Sequence, residues 1–233
     1  MGIIFDTDVD RAAIVGPNGR PINKNALIAL ISTIILEEHP QTTIVTDSVT
    51  SNGLANFIKA KGGIHHRFKR GYKNVINEAI RLNEEGRESH LAIETSGHAA
   101  IKENYFLDDG AYLISKILVK AAQLYRESQD IGKLIGDLDE ALEDKEIRLK
   151  IEDKDFRSYA NNLIASLSEK IKTIDGWTQV AENYEGIRVD CRDEKGWFLM
   201  RSSLHEPLLV INFESNIKGG CDLISEKLFA LIK

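Results

Sequence analysis

The stretch NKNALIALISTIILEEHPQTTIVT, residues 23–46, contains two elements of different type. Apolar side chains recur at helical spacing over residues 23–38, and Pro40 ends the pattern, so this part predicts a helix. Residues 42–46 are rich in β-branched side chains and predict a strand. A helix followed at once by a strand is typical of an α/β layer.

Strand and helix patterns continue on both sides of this stretch. Upstream, residues 2–5 predict a buried strand and residues 12–15 a second short one, with a turn at residues 17–19. Downstream, strands and helices alternate, with strands at 64–68 and 90–94 and helices at 51–61, 72–83 and 108–125. This alternation predicts an α/β domain with a mixed, largely parallel sheet over residues 1–125.

The remainder of the chain predicts a second, smaller domain. Residues 126–144 are charged and short of large apolar side chains, which is typical of a linker, here with one short helix. Residues 145–233 carry strand patterns at 147–151, 186–190, 197–201 and 208–213 and helical patterns at 156–171 and 221–232. We expect an α+β domain in which helices cover an antiparallel sheet.

Composition excludes several classes of protein. The chain has 233 residues, 42% of them hydrophobic and 28% charged, as in ordinary globular proteins. The net charge of −6 argues against a nucleic-acid binder, and the longest apolar runs are too short to span a membrane. Two cysteines, Cys191 and Cys221, favour free thiols in a reducing cytoplasm.

The stretch FDTDVDR, residues 5–11, places three carboxylates at alternate positions after the first strand. On an extended loop Asp6, Asp8 and Asp10 converge, and their mutual repulsion favours a bound cation. Oxygen ligands of this kind suit Mg²⁺ or Ca²⁺, and Arg11 beside them is suited to a phosphate oxygen. A solvated acidic turn without metal is the alternative.

The same stretch also resembles the first motif of haloacid-dehalogenase-type phosphatases. Asp6 would then be the nucleophile, and Asp108 and Asp109 would form the later acidic pair of those enzymes. Asp10 stands where such enzymes usually carry threonine or valine. This stretch alone does not decide between a metal loop and a dehalogenase motif, and the other motifs of the chain are needed for that decision.

Two further stretches carry groups suited to a phosphorylated sugar. ETSGH, residues 94–98, combines a carboxylate, a hydroxyl and an imidazole on a glycine-containing turn, as the binding of vicinal sugar hydroxyls requires. RSSLHEP, residues 201–207, combines an arginine, two serines and a histidine between two predicted strands, which favours phosphate binding.

Taken in order, the three stretches closely resemble the α-D-phosphohexomutases, the phosphoglucomutase and phosphomannomutase family. FDTDVDR is similar to that family's metal loop, Asp-Gly-Asp-x-Asp-Arg. ETSGH is similar to its sugar loop, Gly-Glu-x-Ser-Gly-His, and RSSLHEP to its phosphate loop, Arg-x-Ser-Gly-Thr-Glu-Pro. The resemblance covers essentially the whole chain, whereas the dehalogenase interpretation explains neither the second stretch nor the third.

The resemblance implies a mutase in which a phosphoserine exchanges phosphoryl groups with a hexose phosphate, with hexose 1,6-bisphosphate as intermediate and activator. It assigns the following roles: Mg²⁺ binding to Asp6, Asp8 and Asp10; a catalytic role to Arg11; sugar binding to Glu94, Ser96 and His98; phosphate binding to Arg201, Ser203 and His205. Tyr72 and Lys73, in the stretch KRGYK at residues 69–73, are candidate substrate contacts.

This chain departs from the family pattern at four positions. Thr7 and Ile93 stand where glycines are common, and Leu204-His205 replaces Gly-Thr, so His205 would have to make the contact of the threonine.

Family members have four domains, of which this chain resembles the third and fourth. The family's nucleophilic loop, Thr-x-Ser-His-Asn-Pro, has no counterpart in the sequence. The resemblance therefore implies a C-terminal half, inactive alone, whose partner is the N-terminal half of the same protein. A free-standing, non-catalytic hexose-phosphate binding module is the alternative.

Overall fold

The computed structural model describes residues 1–203 and 206–232. It divides into two compact units, Met1–Asp139 and Glu140–Lys233. The first unit contains, in chain order, β1 (Gly2–Phe5), β2 (Ala12–Val15), β3 (Pro21–Ile22), α1 (Lys24–Glu38), β4 (Thr43–Asp47), α2 (Asn52–Ala60), β5 (Ile64–Phe68), α3 (Tyr72–Glu84), β6 (Ser89–Ile93), β7 (Ala99–Ile101) and α4 (Gly110–Arg126). The second contains β8 (Glu143–Lys150), α5 (Phe156–Ile171), β9 (Trp177–Gln179), β10 (Ile187–Cys191), β11 (Gly196–Ser202), β12 (Leu208–Ser215) and α6 (Gly220–Ile232).

The central sheet of the first unit has the order β5-β4-β6-β7. Strand β4 runs parallel to β5 and β6, and β7 runs antiparallel to β6, which confirms the mixed α/β sheet. Parallel strands end at the same edge, so the loops after β4, β5 and β6 are brought together there. Two short strands are not predicted by the sequence, β7 with three residues and β3 with two.

Helices cover both faces of this sheet. Consecutive residues of β4 point to opposite faces of the sheet. Ile44 packs with α1 and α2 on one face, and Val45 packs with α3 on the other. Helix α1 is buried at every position from 26 to 36, because strand β6, helices α2 and α4 and a later 3₁₀ turn all contact it. This continuous burial agrees with its almost uninterrupted apolar sequence.

Strand β1 corrects one expectation. Residues 2–5 form the predicted strand, but all four are exposed rather than buried. Strand β1 pairs with β2 alone, at the edge of the three-stranded sheet β1-β2-β3. Strand β2 contributes Ala12 and Ile14 to the core and β3 contributes Ile22, whereas the residues of β1 are exposed, so the apolar sequence of β1 indicates a strand without indicating burial.

The second unit is built on a fully antiparallel sheet of order β8-β12-β11-β10-β9. Helices α5 and α6 pack on one face of it around Phe198, Ile211 and Phe213. This architecture confirms the predicted α+β class. Strand β9 is not predicted by the sequence, and β8 begins four residues before the predicted start at residue 147.

The predicted linker is not a separate segment in its first part. Ile131 is buried in the first core, Leu134 and Ile135 of the 3₁₀ turn Ile131–Ile135 pack against that core, and Leu138 does so from just after the turn. The turn contacts α1 through these few apolar residues, a pattern that the high charge of the segment concealed. No helix among residues 1–203 and 206–232 has the length and the apolar composition needed to cross a membrane.

Candidate functional site

The metal loop, residues 6–11, is the connection between antiparallel strands β1 and β2, whose ends pair as Phe5 with Ala12. Carboxylate oxygens of Asp6, Asp8 and Asp10 lie within 4.8 Å of one another, as the sequence predicts. Oδ1 of Asp10 is buried and accepts no hydrogen bond from the residues that the structure describes. Converging hard oxygens, one of them without a donor, fit a cation such as Mg²⁺ or Ca²⁺.

Arg11 closes this loop on itself. Its Nε donates to Oδ2 of Asp6 at 2.5 Å, and its backbone N–H donates to Oδ1 of the same carboxylate at 3.1 Å. Desolvation alone would raise the pKa of Asp6, but the hydrogen bonds and charge of Arg11 outweigh it, so the pKa lies below its ordinary value. Asp6 is therefore a carboxylate at neutral pH, and its position and that of Arg11 depend on each other.

The sugar loop, residues 94–98, follows β6 at the edge where the parallel strands end. Glu94 is only 5% exposed, and its carboxylate accepts hydrogen bonds from the backbone N–H of Gly71 at 2.6 Å and from the hydroxyl of Ser96 at 3.0 Å. Ser96 itself is exposed. The predicted sugar ligands are thus of two kinds, an exposed hydroxyl and a largely buried carboxylate that supports it.

Gly97 allows the sugar loop to approach strand β2. Its φ of +100° lies in the region that favours glycine, and an added Cβ would stand 2.8 Å from the carbonyl oxygen of Ala12. The carbonyl of Gly97 also accepts from the backbone N–H of Ala12 at 3.4 Å. This close backbone contact fixes the sugar loop beside the start of β2, directly after the metal loop.

His98 joins the two loops. Its Nδ1 lies 2.8 Å from Oδ2 of Asp108 and 3.6 Å from Oδ2 of Asp10, and its ring stacks on Tyr72 with 4.7 Å between centroids. Arg11 and His98 also form an isolated antiparallel bridge between their backbones. The metal loop and the sugar loop therefore belong to one site.

Asp108 enters this site in a role that the sequence analysis did not consider. It precedes α4, which begins at Gly110 because the side chain of Asp109 accepts from the backbone N–H of Tyr112 at 2.8 Å and caps the helix. Burial raises the pKa of Asp108, and the charge and hydrogen bond of His98 act in the opposite direction. Asp10, His98 and Asp108 form a second group of ligand-type atoms within 4.8 Å.

The stretch KRGYK, residues 69–73, lies against the sugar loop. Gly71 donates its N–H to Glu94, and Tyr72 provides the ring that stacks on His98. The ammonium of Lys73 lies 5.8 Å from the centroid of the Tyr72 ring. The structure therefore places both candidate substrate contacts beside the predicted sugar ligands.

Asp47 is a further residue that sequence reasoning missed. It ends β4, is 0% exposed, and accepts two hydrogen bonds from Thr95 of the sugar loop, at 3.1 Å from the backbone N–H and 2.7 Å from the hydroxyl. Its position at the carboxyl end of a central parallel strand was a usable signal, because ligands and the residues around them gather at that edge.

The phosphate loop, residues 201–207, belongs to the second unit and connects β11 with β12. Arg201 is half-buried near the end of β11, and the backbone N–H of Ser203 donates to Leu208 at 2.8 Å, so the turn begins directly after the paired strands. The hydroxyl of Ser203 accepts from the N–H of Glu206 at 3.4 Å. His205, a predicted phosphate ligand, lies outside the described residues.

Comparison with known proteins identifies the family of the chain. Residues 23–140 match the family model described as phosphoglucomutase/phosphomannomutase, alpha/beta/alpha domain III, which covers about half of the chain. The chain belongs to the phosphoglucomutase/phosphomannomutase family. Within it, a phosphoglucomutase of Neisseria gonorrhoeae is 26% identical over the whole chain, which corresponds to 47% of that relative.

Solved structures extend the match to the whole chain. A phosphoglucomutase/phosphomannomutase family protein from Burkholderia thailandensis superposes with a TM-score of 0.80 and 28% identity over 100% of this chain and 46% of that one. An N-acetylphosphoglucosamine mutase of Aspergillus fumigatus, described in complex with GlcNAc-6P and magnesium, shares the fold at a TM-score of 0.61 and 12% identity, over 99% of this chain and 48% of that one. The chain thus spans about half the length of the relatives that it matches.

Proposed function

We propose that this chain is the C-terminal portion of a phosphohexomutase that interconverts hexose 1-phosphate and hexose 6-phosphate. The observation that carries the proposal is the contact of His98 with Asp10, because it joins an acidic, cation-type loop to a loop with sugar-type ligands. The phosphoserine that the reaction needs would come from the N-terminal half of the same protein. The curated and solved relatives are about twice as long as this chain, which supports that division.

The metal loop supplies the electrostatic part of the proposed reaction. Asp6, Asp8 and Asp10 would hold Mg²⁺, which when bound neutralises charge on a transferring phosphoryl group. Arg11, whose Nε is held by Asp6, would present its remaining N–H groups to phosphoryl oxygens. Positioning and electrostatics account for most of the catalysis of phosphoryl transfer, so a rigid arginine next to the acidic cluster suits this role.

The sugar and phosphate loops supply recognition. Ser96 and His98 would contact sugar hydroxyls, with Glu94 orienting Ser96 from the buried side and Tyr72 and Lys73 at the rim. Arg201, Ser203 and His205 would hold the phosphate that is not reacting. Hydroxyl contacts of this kind tolerate both orientations of a hexose 1,6-bisphosphate intermediate, which the reaction requires. We expect the protein to act in the cytoplasm, where its two buried thiols stay reduced.

The test is an assay of this chain with glucose 1-phosphate and Mg²⁺, alone and as a protein extended by its upstream coding sequence. We expect the chain alone to bind glucose 1-phosphate without converting it, and the extended protein to form glucose 6-phosphate. Conversion by the chain alone, or none by the extended protein, would overturn the proposal. Release of inorganic phosphate by the chain, lost in Asp6→Asn, would instead indicate a dehalogenase-type phosphatase.

A further inference from the structure

We propose that Asp47 is a positioning residue of the sugar loop, which it holds from the protein interior through Thr95. This inference rests on the proposed function only for the statement that the loop binds sugar. The anchoring itself depends on contacts within the first unit and does not require a particular substrate.

The anchor follows from the register of the central sheet. Strands β4 and β6 are parallel neighbours in which Thr46 lies opposite Ile93. The next residues along both strands are Asp47 and Glu94, so two carboxylates leave the sheet side by side. Both are buried, at 0% and 5% exposure.

Both oxygens of Asp47 are used on one residue of the sugar loop. Oδ1 accepts the backbone N–H of Thr95 at 3.1 Å, and Oδ2 accepts its hydroxyl at 2.7 Å. Two hydrogen bonds to one residue fix both the backbone and the χ1 rotation of Thr95. Thr95 stands between Glu94 and Ser96, so the directions of both neighbours are fixed with it.

A carboxylate is a costly residue for this position. Burying an ionised carboxyl group is unfavourable unless its interactions compensate, and an apolar side chain in the interior carries no such cost. Burial first, and then the charge of Glu94, raise the pKa of Asp47 to about 6, while the charge of Arg70 opposes them. The two hydrogen bonds from Thr95 and the charge of Arg70 offset part of this cost.

Asp47 completes a set of supports around the loop. Glu94 is bound by the N–H of Gly71, and His98 lies against Asp108 and Tyr72. These contacts hold the first and last residues of the loop from the side. Asp47 alone of this set holds Thr95, next to the exposed Ser96.

Four variants separate the anchor from a general loss of stability. Asp47→Ala removes both acceptors, whereas Asp47→Asn keeps an acceptor for the N–H of Thr95 and a partner for its hydroxyl. Thr95→Val removes the hydroxyl, whereas Thr95→Ser keeps it. Thr42→Val is the matched control, because the Thr42 hydroxyl is also buried and bonded, to Nδ1 of His90 at 2.8 Å, just before β4 and at the opposite end from Asp47.

The first measurement is amide hydrogen exchange of Gly97, whose N–H donates to the carbonyl of Glu94 at 3.0 Å only when the loop is formed. We expect Asp47→Ala and Thr95→Val to accelerate this exchange by about tenfold or more, because a charged hydrogen bond is lost. Asp47→Asn, Thr95→Ser and Thr42→Val should leave it close to the original rate. Unchanged exchange in both Asp47→Ala and Thr95→Val would overturn the inference; should Asp47→Ala not fold, the Thr95 pair decides.

The second measurement is calorimetric binding of glucose 1-phosphate and, separately, of Mg²⁺. We expect Asp47→Ala to weaken glucose 1-phosphate binding about ten- to hundredfold and Asp47→Asn to restore it, with Mg²⁺ affinity unchanged throughout. Equal weakening of both ligands would indicate general damage and overturn the positioning role. If the unmodified chain binds no glucose 1-phosphate, the proposed function fails, and Gly97 exchange still decides whether Asp47 anchors the loop.

Discussion

At the scale of single residues, the candidate site depends on carboxylates in different environments. Asp6 is bound by Arg11 and has a lowered pKa, whereas Asp47 is buried beside Glu94 and has a raised one. The first is ionised across the physiological range, and the second changes its charge near the lower end of that range. Such contrasts are characteristic of functional sites.

The raised pKa of Asp47 predicts how its removal changes stability with pH. The folded protein keeps the proton up to about pH 6, whereas the unfolded chain releases it near the ordinary value of 3.8. Between these values the native state binds more protons, so this group makes stability fall as pH rises from about 4 to about 6.

The stability of the Asp47→Asn variant should not fall in this way as pH rises. Relative to the unmodified protein it should gain up to about 3 kcal/mol of unfolding free energy between pH 4 and pH 7.5. Urea denaturation of both proteins at the two pH values measures the difference. A constant difference between the two proteins would mean that Asp47 is ionised in the folded state throughout.

The buried carboxylate of Glu94 predicts a selective loss of sugar binding. Glu94→Ala removes the partner of the Ser96 hydroxyl and of the Gly71 N–H, so glucose 1-phosphate affinity should fall by about 1.5–3 kcal/mol. Inorganic phosphate binding should not change, and Glu94→Gln, which keeps an acceptor, should lose less. Calorimetry that finds both ligands weakened equally, or neither, would count against the sugar assignment.

At the scale of elements, the site is made by the ends of parallel strands and the turns after them. Strands β4, β5 and β6 deliver Asp47, the KRGYK stretch and the sugar loop to one edge of the sheet. The hairpin β1–β2 brings the metal loop to the same place through the contact between Ala12 and Gly97. The turn at Gly97 is therefore the element on which the meeting of the two loops depends.

Replacing Gly97 with alanine tests two effects, the strain of its backbone conformation and the close contact with strand β2. Gly97→Ala combines a left-handed backbone with a Cβ 2.8 Å from the Ala12 carbonyl oxygen, whereas Gly86→Ala has a similar φ of +79° with nothing within 4 Å. Gly86→Ala should cost about 1–2 kcal/mol from the backbone conformation alone. Gly97→Ala should cost more and should also weaken binding of glucose 1-phosphate.

The comparison of melting temperatures and calorimetric affinities for these two variants checks the prediction. Equal destabilisation by both, with sugar binding retained in Gly97→Ala, would show that the contact with β2 is not needed to form the site.

The sequence predicts which helices and strands form better than it predicts whether each of them is buried or exposed. The pattern of 23–46 leads directly to α1 and β4, because helical spacing and β-branched residues act locally. The exposure of β1 is not local, since it depends on how many strands pair with it. The short β7 carries only Ala-Ala-Ile, too little for a period to be recognised.

The site shows the same division between local and long-range information. Asp6, Asp8 and Asp10 converge as their spacing predicts, because they lie on one short loop. The contacts of Asp47 with Thr95 and of His98 with Asp10 join residues far apart in sequence, and only the sheet topology brings them together. Asp108 was considered only as part of a dehalogenase motif, since its partner His98 is identified by the fold.

At the scale of the whole molecule, each unit buries its own apolar residues and carries its own candidate loops. The first carries the metal and sugar loops in mutual contact, and the second carries the phosphate loop. The chain spans about half the length of the relatives that it matches. In the proposed function, a further part of the protein supplies the phosphoserine. The proposed function therefore depends most on metal and sugar ligands forming one site in the first unit.

The measurement that tests this claim most directly is an NMR titration of the chain with Mn²⁺, whose paramagnetism broadens the resonances of nuclei near it. We predict that residues 6–11 and His98 broaden first, that Mg²⁺ reverses the effect by competition, and that Asp8→Asn abolishes it. Broadening confined to other acidic surfaces, or broadening of residues 6–11 that leaves His98 sharp, would contradict the account.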